Sequence, residues 1–263
     1  MRLADAHAVV TGGSQGIGLA TARALASRGA RVSLVARDPD RLAAAGVSIT
    51  GSVAVPADVT DADGLAAALG RLVAEQGPAD LLVTSAGASH PGYFDALDIE
   101  VFRAQMELNY LGTVHAIKAL LPPMLDRGRG GIVGVSSTAG LLGVFGFGAY
   151  GPTKYAVRGL CDALRAEYGH RGIYVGCVFP PDTETPGFEA ENRIKPRETA
   201  AVSGGIAPKS AEAIGEAIAR GIERERAVIT ADLATALLAR VGGLVRGPVE
   251  WTMQRTVCRV QGR

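Results

Sequence analysis

The chain has 263 residues, of which 48% are hydrophobic, and a formal net charge of +1. This apolar content excludes a disordered chain, and the balanced charge excludes the basic surface of a nucleic-acid-binding protein, so we expect no nucleic-acid partner. The three cysteines and four histidines are widely spaced, which indicates no metal site and a reduced, cytoplasmic setting. No signal segment precedes the first predicted strand, and no stretch approaches the roughly 20 uncharged apolar residues of a membrane span.

Apolar runs and helical patterns alternate along the chain. Strands are predicted at 8–10, 31–35, 53–55, 80–83, 131–135, 173–178 and 227–229. Helices are predicted at 16–27, 41–45, 61–74, 99–109, 113–126, 150–168 and 210–225, and the pair within 99–126 is alternatively one bent helix. Because strands joined by helices cross over right-handedly, this order predicts an α/β fold with a doubly wound parallel sheet in three layers.

A glycine-rich turn, TGGSQGIG at 11–18, joins the first strand to the first helix. Glycines permit a tight turn there and let backbone N–H groups approach a phosphate at the helix N-terminus. Alone, such a turn is a weak signal, but its position between strand and helix strengthens it. The residues predicted to bind the phosphates of a dinucleotide are Gly12, Ser14, Gln15, Gly16, Ile17 and Gly18.

The end of the second strand bears on the choice of cofactor. An acidic residue at that tip would bind a ribose 2′-hydroxyl, but Ala36 and Arg37 stand there. They leave room and positive charge for a 2′-phosphate, which favours NADPH/NADP⁺. The alternative is that Asp38 binds the hydroxyl and Arg37 is solvated.

The next two strand ends carry further candidates for cofactor binding. Asp58 and Val59 follow the third strand and are predicted to meet the adenine edge, with a helix cap as the alternative. Ser85, Ala86 and Gly87 follow the fourth strand, where a backbone of small residues would lie against the cofactor's ribose.

Tyr150 and Lys154 are four residues apart in a predicted helix, so both side chains share one face. A phenol ionises near pH ~10, and an adjacent ammonium favours the phenolate and lowers that pKa. We therefore predict an acid/base pair, with Ser137 as hydrogen-bond donor to the oxygen that Tyr150 protonates. Taken alone, a surface tyrosine and lysine at helical spacing is the alternative.

Together these residues resemble the short-chain dehydrogenase/reductase family over essentially the whole chain. The turn at 11–18 matches the family's TGxxxGxG motif, and Asn109 matches the asparagine that completes its catalytic tetrad with Ser137, Tyr150 and Lys154. The resemblance implies a single Rossmann-type catalytic domain over 1–263, an NADP-dependent oxidoreductase acting on a ketone or alcohol, and a homodimer or homotetramer. It also implies that Tyr150 and Lys154 contact the cofactor, and that Asn109 holds a water linking Lys154 to solvent.

The segment after the sixth strand extends the resemblance. Pro180 to Thr185 resembles the family's P-G-x-x-x-T motif, which implies that Pro180, Thr183 and Thr185 contact the nicotinamide carboxamide. Two departures are visible: Ser85 stands where the family usually has Asn, and Pro181 stands in place of Gly.

The stretch at about 182–208 is charged, proline-bearing and predicted to be irregular, which is typical of a lid over a site. The run at 180–199 resembles the 3-ketodihydrosphingosine reductases within the family. That resemblance implies NADPH-dependent reduction of a long-chain keto sphingoid base, 3-ketosphinganine, to sphinganine. The alternatives are another apolar ketone, such as a 3-oxoacyl or steroid-like substrate, and a non-catalytic NADP-binding regulator. The candidates for binding the substrate ammonium are Glu184, Glu189 and Glu191, with solvated charges as the alternative.

Within the C-terminal segment at about 232–263, the stretch 233–249 is apolar, but Arg240 and Arg246 interrupt it. That stretch is too short and too charged to span a bilayer. It would either lie in a membrane interface with its arginines at headgroup level, giving peripheral membrane contact, or pack on the domain, and packing is favoured.

Overall fold

A computed structural model of the protein describes residues 1–204 and 207–262, with the side chains of 243–246 outside the description. Seven parallel strands form one sheet in the order β3-β2-β1-β4-β5-β6-β9. Their bounds are β1 His7–Thr11, β2 Arg31–Ala36, β3 Val53–Pro56, β4 Leu81–Thr84, β5 Gly130–Val135, β6 Ile173–Val178 and β9 Val228–Ile229. Two short strands, β7 Thr183–Glu184 and β8 Lys209–Ser210, pair separately.

Helices connect the strands and cover both faces of the sheet. Their bounds are α1 Gly16–Ala26, α2 Pro39–Val47, α3 Ala62–Gln76, α4 Ile99–Met106, α5 Gly112–Asp126, α6 Gly151–Tyr168, α7 Pro186–Asn192, α8 Arg197–Ser203, α9 Ala211–Glu223 and α10 Leu233–Val260. The apolar side chains form one buried cluster with α1, α2 and α9, and another with α3, α5 and α6. β1 is buried along its whole length, as expected for a central parallel strand. The predicted doubly wound, three-layer α/β fold is thus confirmed.

Helices α4 and α5 form one bent segment, which is the alternative that the sequence offered for 99–126. A π-helical turn at Glu107–Leu111 joins them. Such turns place an extra residue in a helix and often occur at functional sites. This one directs Asn109 into the interior, where it is 1% exposed.

The prediction of an irregular segment at 182–208 is wrong. It contains β7, α7 and α8, and ends beside β8, while Gly205 and Ile206 lie outside the described residues. The local reason is a helix start: the Thr185 hydroxyl accepts from the Phe188 N–H at 3.1 Å, and Pro186 occupies the first helical position.

The C-terminal segment forms α10. Asp232 is its N-terminal cap, and the Asp232 carboxylate accepts from the Thr235 N–H at 2.8 Å. The helix packs along α8, and the Gln261 amide donates to Glu198 at 3.3 Å. Leu233, Leu237 and Trp251 are exposed on α10. The prediction that Arg246 lies at headgroup level concerns a side chain outside the described residues. Within the described part of the chain, no helix combines the length and apolarity needed to cross a bilayer.

Candidate active site

The predicted site residues converge at the carboxyl edge of the sheet. They lie in the segments that follow β1, β2, β3, β4, β5 and β6. In a doubly wound sheet the connection reverses between β1 and β4, and ligands bind at that edge beside the reversal.

At Gly12 and Gly18 the glycine-rich turn is packed too closely for a side chain. Gly12 has φ +69°, and a Cβ on it would lie 2.6 Å from the Ala86 backbone nitrogen. The Ser85 N–H donates to the Thr11 carbonyl at 3.1 Å, so the segments after β1 and β4 form one surface. No side chain caps α1 at Gln15. The N-terminus of α1 therefore suits a phosphate, as a dinucleotide cofactor requires.

Two arginines and one aspartate lie beside this turn, at the end of β2 and the start of α2. Asp38 caps α2 by accepting from two backbone N–H groups and also pairs with Arg41 at 3.2 Å. Arg37 is 82% exposed and lies 3.6 Å from Asp58. Arg41 also reaches the Gln15 side chain at 3.1 Å. Two guanidinium groups thus flank the end of the glycine-rich turn, while Asp38 is committed to its cap. The sequence reasoning missed Arg41, which the first turn of α2 places there.

Asp58 does not cap a helix, so that alternative is excluded. The cap of α3 is Asp61, which accepts from the Gly64 N–H. Asp58 accepts from the backbone and hydroxyl of Thr60, and these bonds together with Arg37 lower its pKa despite opposing burial. Val59 is 4% exposed, and its carbonyl bonds His115 at 2.9 Å.

Asn109 is held in a network rather than facing an open space. Its amide donates to the Ala88 carbonyl at 3.0 Å and to the Thr153 hydroxyl at 3.1 Å, and its carbonyl accepts from the Ala88 N–H at 3.0 Å. A Cβ on Gly87 would lie 2.7 Å from the Asn109 carbonyl oxygen and 3.3 Å from the Lys154 ammonium. Asn109, Gly87 and Lys154 therefore meet at one point.

Burial of the phenol raises the pKa of Tyr150 above its ordinary value, and the neighbouring Ser137 hydroxyl opposes this only in part. The expected lowering by Lys154 is therefore wrong for this geometry. The ammonium lies 5.7 Å from the ring centroid and donates to the Val135 carbonyl at 3.0 Å, whereas the charges that act on the phenol, Glu191 and Asp182, are negative.

Lys154 is 5% exposed. Burial disfavours its charged form and lowers its pKa to about 8. A lysine with that pKa exchanges protons near neutral pH, which suits proton relay.

The P-G-x-x-x-T-like segment touches both halves of the site. The Thr138 N–H, next to Ser137, donates to the Pro180 carbonyl at 3.0 Å. The Thr183 hydroxyl bonds the Pro181 carbonyl at 2.7 Å. A Cβ on Gly16 would lie 3.1 Å from the Thr185 methyl, so this segment lies against the glycine-rich turn.

Sequence reasoning missed Asp182 and Lys195 and did not separate Glu191 from its neighbours. The ion pair between Glu191 and Lys195 is buried, at 2.6 Å. Their four-residue spacing is the signal that could have found it. Nothing local marks Asp182, since its surroundings come from the folding of the lid.

A doubly wound sheet with a glycine-rich turn and a tyrosine-lysine pair at its carboxyl edge is the arrangement of a nicotinamide-dependent oxidoreductase. The chain belongs to the short-chain dehydrogenase family, since the family model described as short chain dehydrogenase matches residues 6–195. That family binds nicotinamide cofactors.

The chain is also similar to curated 3-dehydrosphinganine and 3-ketodihydrosphingosine reductases and to a solved ketoreductase. It is 40% identical over 215 residues to the 3-dehydrosphinganine reductase of Danio rerio, which covers 77% of this chain and 64% of that protein. It is 35% identical over 260 residues to the 3-ketodihydrosphingosine reductase of Dictyostelium discoideum, with 90% and 78% covered. A solved variant of actinorhodin polyketide ketoreductase with NADPH matches at TM-score 0.76 and 30% identity, with 86% and 95% covered. The chain thus spans just under two thirds of the length of the Danio rerio relative.

Proposed function

We propose that the protein uses NADPH to reduce the C3 ketone of 3-ketosphinganine, giving sphinganine for sphingolipid biosynthesis. The placement of Ser137 and Lys154 around Tyr150 supports ketone reduction. The choice of ketone is supported by the curated relatives, whose names state that activity. The proposed catalytic residues are Asn109, Ser137, Tyr150 and Lys154.

In the proposed reaction, Tyr150 donates a proton to the carbonyl oxygen and Ser137 donates a hydrogen bond to it. Hydride for the carbonyl carbon is the chemistry that a bound NADPH supplies. The raised pKa keeps Tyr150 protonated at neutral pH, so its hydroxyl donates a proton to the carbonyl oxygen as negative charge develops there. The Ser137 hydroxyl donates a hydrogen bond to the same oxygen.

Lys154 restores the proton that Tyr150 gives up. Its pKa of about 8 allows it to pass on a proton near neutral pH. The Asn109 amide donates hydrogen bonds to the Ala88 carbonyl and the Thr153 hydroxyl, which holds both groups in place near Lys154. We propose that water held near Asn109 reprotonates Lys154.

The rate of ketone reduction is expected to fall at alkaline pH. Since burial lowers the Lys154 pKa to about 8, the side chain is charged below that pH and becomes neutral above it. The check is kcat measured from roughly pH 6 to pH 10, with a single apparent pKa within about one unit of 8. Enzyme returned from the alkaline end to neutral pH serves as the stability control, and a flat profile to pH ~10 would contradict the role of Lys154.

The preference for NADPH is expected to depend on Arg37. Charged hydrogen bonds contribute about 1.5–3 kcal/mol, so Arg37→Ala should raise the KM for NADPH by roughly tenfold to a hundredfold. The KM for NADH should change little. Arg71→Ala, an exposed arginine on α3, is the matched control. Equal effects on the two cofactors would show that Arg37 does not bind the 2′-phosphate.

The function is tested by NADPH consumption with 3-ketosphinganine, beside 3-oxoacyl thioester and steroid ketones of comparable concentration. Faster turnover of a thioester or steroid would overturn the substrate assignment but leave the ketone chemistry. Binding of NADPH with no turnover of any ketone would favour a regulator.

Three properties of the protein remain predictions. These are self-association as a homodimer or homotetramer, a cytoplasmic location, and peripheral membrane contact through α10. Among the described side chains of α10, the large exposed apolar residues Leu233, Leu237 and Trp251 would make such contact.

A further inference from the structure

Three charged side chains from the lid lie together near the candidate active site. Glu191 and Lys195 form an ion pair of 2.6 Å with side chains only 11% and 3% exposed. The Lys195 ammonium also lies 4.6 Å from the centroid of the Phe188 ring. Glu184 and Glu189, the other two carboxylates considered for this lid, are exposed to solvent. The tertiary structure thus separates Glu191 from them.

Asp182 is the third member. It lies two residues after Pro180, whose carbonyl bonds the backbone of Thr138 beside Ser137. Its carboxylate is half-buried, and within the described chain it has no hydrogen bond or ion pair, although its backbone carbonyl accepts from the Lys209 N–H at 2.9 Å. Burial raises its pKa, against the opposing charge of Lys195.

The charges of this cluster do not balance. When Asp182 is ionised, Asp182 and Glu191 carry two negative charges and Lys195 one positive charge, so the cluster has a net charge of −1, and both carboxylates act on Tyr150. Lys154 does not compensate for it, since its ammonium donates to the Val135 carbonyl and neither carboxylate contributes to its pKa shift. A partly buried carboxylate without a partner costs free energy. The cluster therefore suits one additional cation.

We propose that Asp182, supported by the field of Glu191, binds the primary ammonium of the substrate and selects 2-amino ketones over neutral ketones. This inference rests on the proposed function. In 3-ketosphinganine the amine stands on the carbon next to the ketone, so the ammonium must lie beside the group that Tyr150 protonates. The Pro180 carbonyl accepts from the Thr138 N–H at 3.0 Å, so the backbone that leads into Asp182 adjoins the loop of Ser137.

The same contact links substrate recognition to proton transfer. Asp182 and Glu191 both raise the Tyr150 pKa, because negative charge disfavours the phenolate. A substrate ammonium between these carboxylates offsets their charge and makes the phenol a better acid. A neutral ketone leaves their charge in place, so it is bound less well and protonated more slowly.

The inference is tested by comparing two substrates on one set of variants. The substrates are 3-ketosphinganine and the same long-chain hydroxy ketone without the amine. Asp182→Asn should lower the ratio of their kcat/KM values by about tenfold to a hundredfold, the range for a charged hydrogen bond. Glu189→Gln, an exposed carboxylate on the same lid, should leave the ratio unchanged, and Asp182→Glu should keep most of the preference.

A binding readout makes the test independent of how Asp182→Asn folds. Octadecylamine should inhibit the wild-type protein at least about tenfold more strongly than octadecanol, since only the amine offers the charge. Equal inhibition by the two compounds, or an unchanged substrate ratio in a folded Asp182→Asn protein, would overturn the ammonium site while leaving ketone reduction in place. Failure of the wild-type protein to reduce 3-ketosphinganine would instead overturn the proposed function.

Discussion

Tyr150→Phe is expected to lower kcat for ketone reduction by about 10²- to 10⁴-fold, the range for loss of a general acid. The substitution removes the hydroxyl that donates the proton. It keeps the aromatic ring, which packs edge-on against Phe147 with centroids 5.4 Å apart. The fold and the binding of NADPH should therefore persist. Steady-state turnover together with NADPH binding by fluorescence measures the two effects separately.

Tyr155→Phe is the matched control, because this exposed tyrosine lies in α6 five residues after Tyr150. Its turnover should equal that of the wild-type protein. A Tyr150→Phe protein that still reduced ketones at the wild-type rate would remove the basis for the proposed mechanism.

Gly12→Ala is expected to abolish saturable NADPH binding and to destabilise the fold. The residue has φ +69°, and its new Cβ would lie 2.6 Å from the Ala86 backbone nitrogen. The unfavourable backbone conformation alone costs roughly 1–3 kcal/mol. Relief of the clash requires the glycine-rich turn to move away from the segment after β4, which displaces the N–H groups that would hold the phosphates. Cofactor titration and the free energy of unfolding by urea measure these effects.

Gly70→Ala provides the control for a glycine without such constraints. It lies on the exposed side of α3, and a Cβ there meets nothing within 4 Å. Alanine in a helix interior is favoured over glycine by roughly 0.5–1 kcal/mol, so this variant should be slightly more stable and bind NADPH normally. Normal NADPH binding by Gly12→Ala would contradict the assignment of the turn.

Much of the fold could be predicted because its signals are local. The strands at the centre of the sheet are short apolar runs, and β6 was placed with its observed bounds. The helix predicted at 210–225 has Ser210 as its N-terminal cap, and the Ser210 hydroxyl accepts from the Ala213 N–H at 3.2 Å. Capping and continuous hydrophobic patterns depend on residues a few positions apart. They can therefore be read without knowledge of the tertiary structure.

The lid could not be predicted in the same way. Its helices are short, and such helices are marginal without packing. They are held by distant partners: the Thr199 hydroxyl bonds the Phe145 carbonyl at 2.9 Å, and the Tyr93 hydroxyl bonds Glu198 at 2.8 Å. These contacts join segments far apart in the sequence, which no local pattern indicates.

By itself, the sequence determined the alternation of strands and helices, the glycine-rich turn and the candidate tetrad, because each depends on residue type and short spacing. Only the tertiary structure decided the electrostatics of the site. Burial raises the pKa of Tyr150 and lowers that of Lys154, and it separates Glu191 from the exposed carboxylates of the lid. Desolvation and the distances between charges arise only when remote segments pack together, since both depend on what surrounds a group in space.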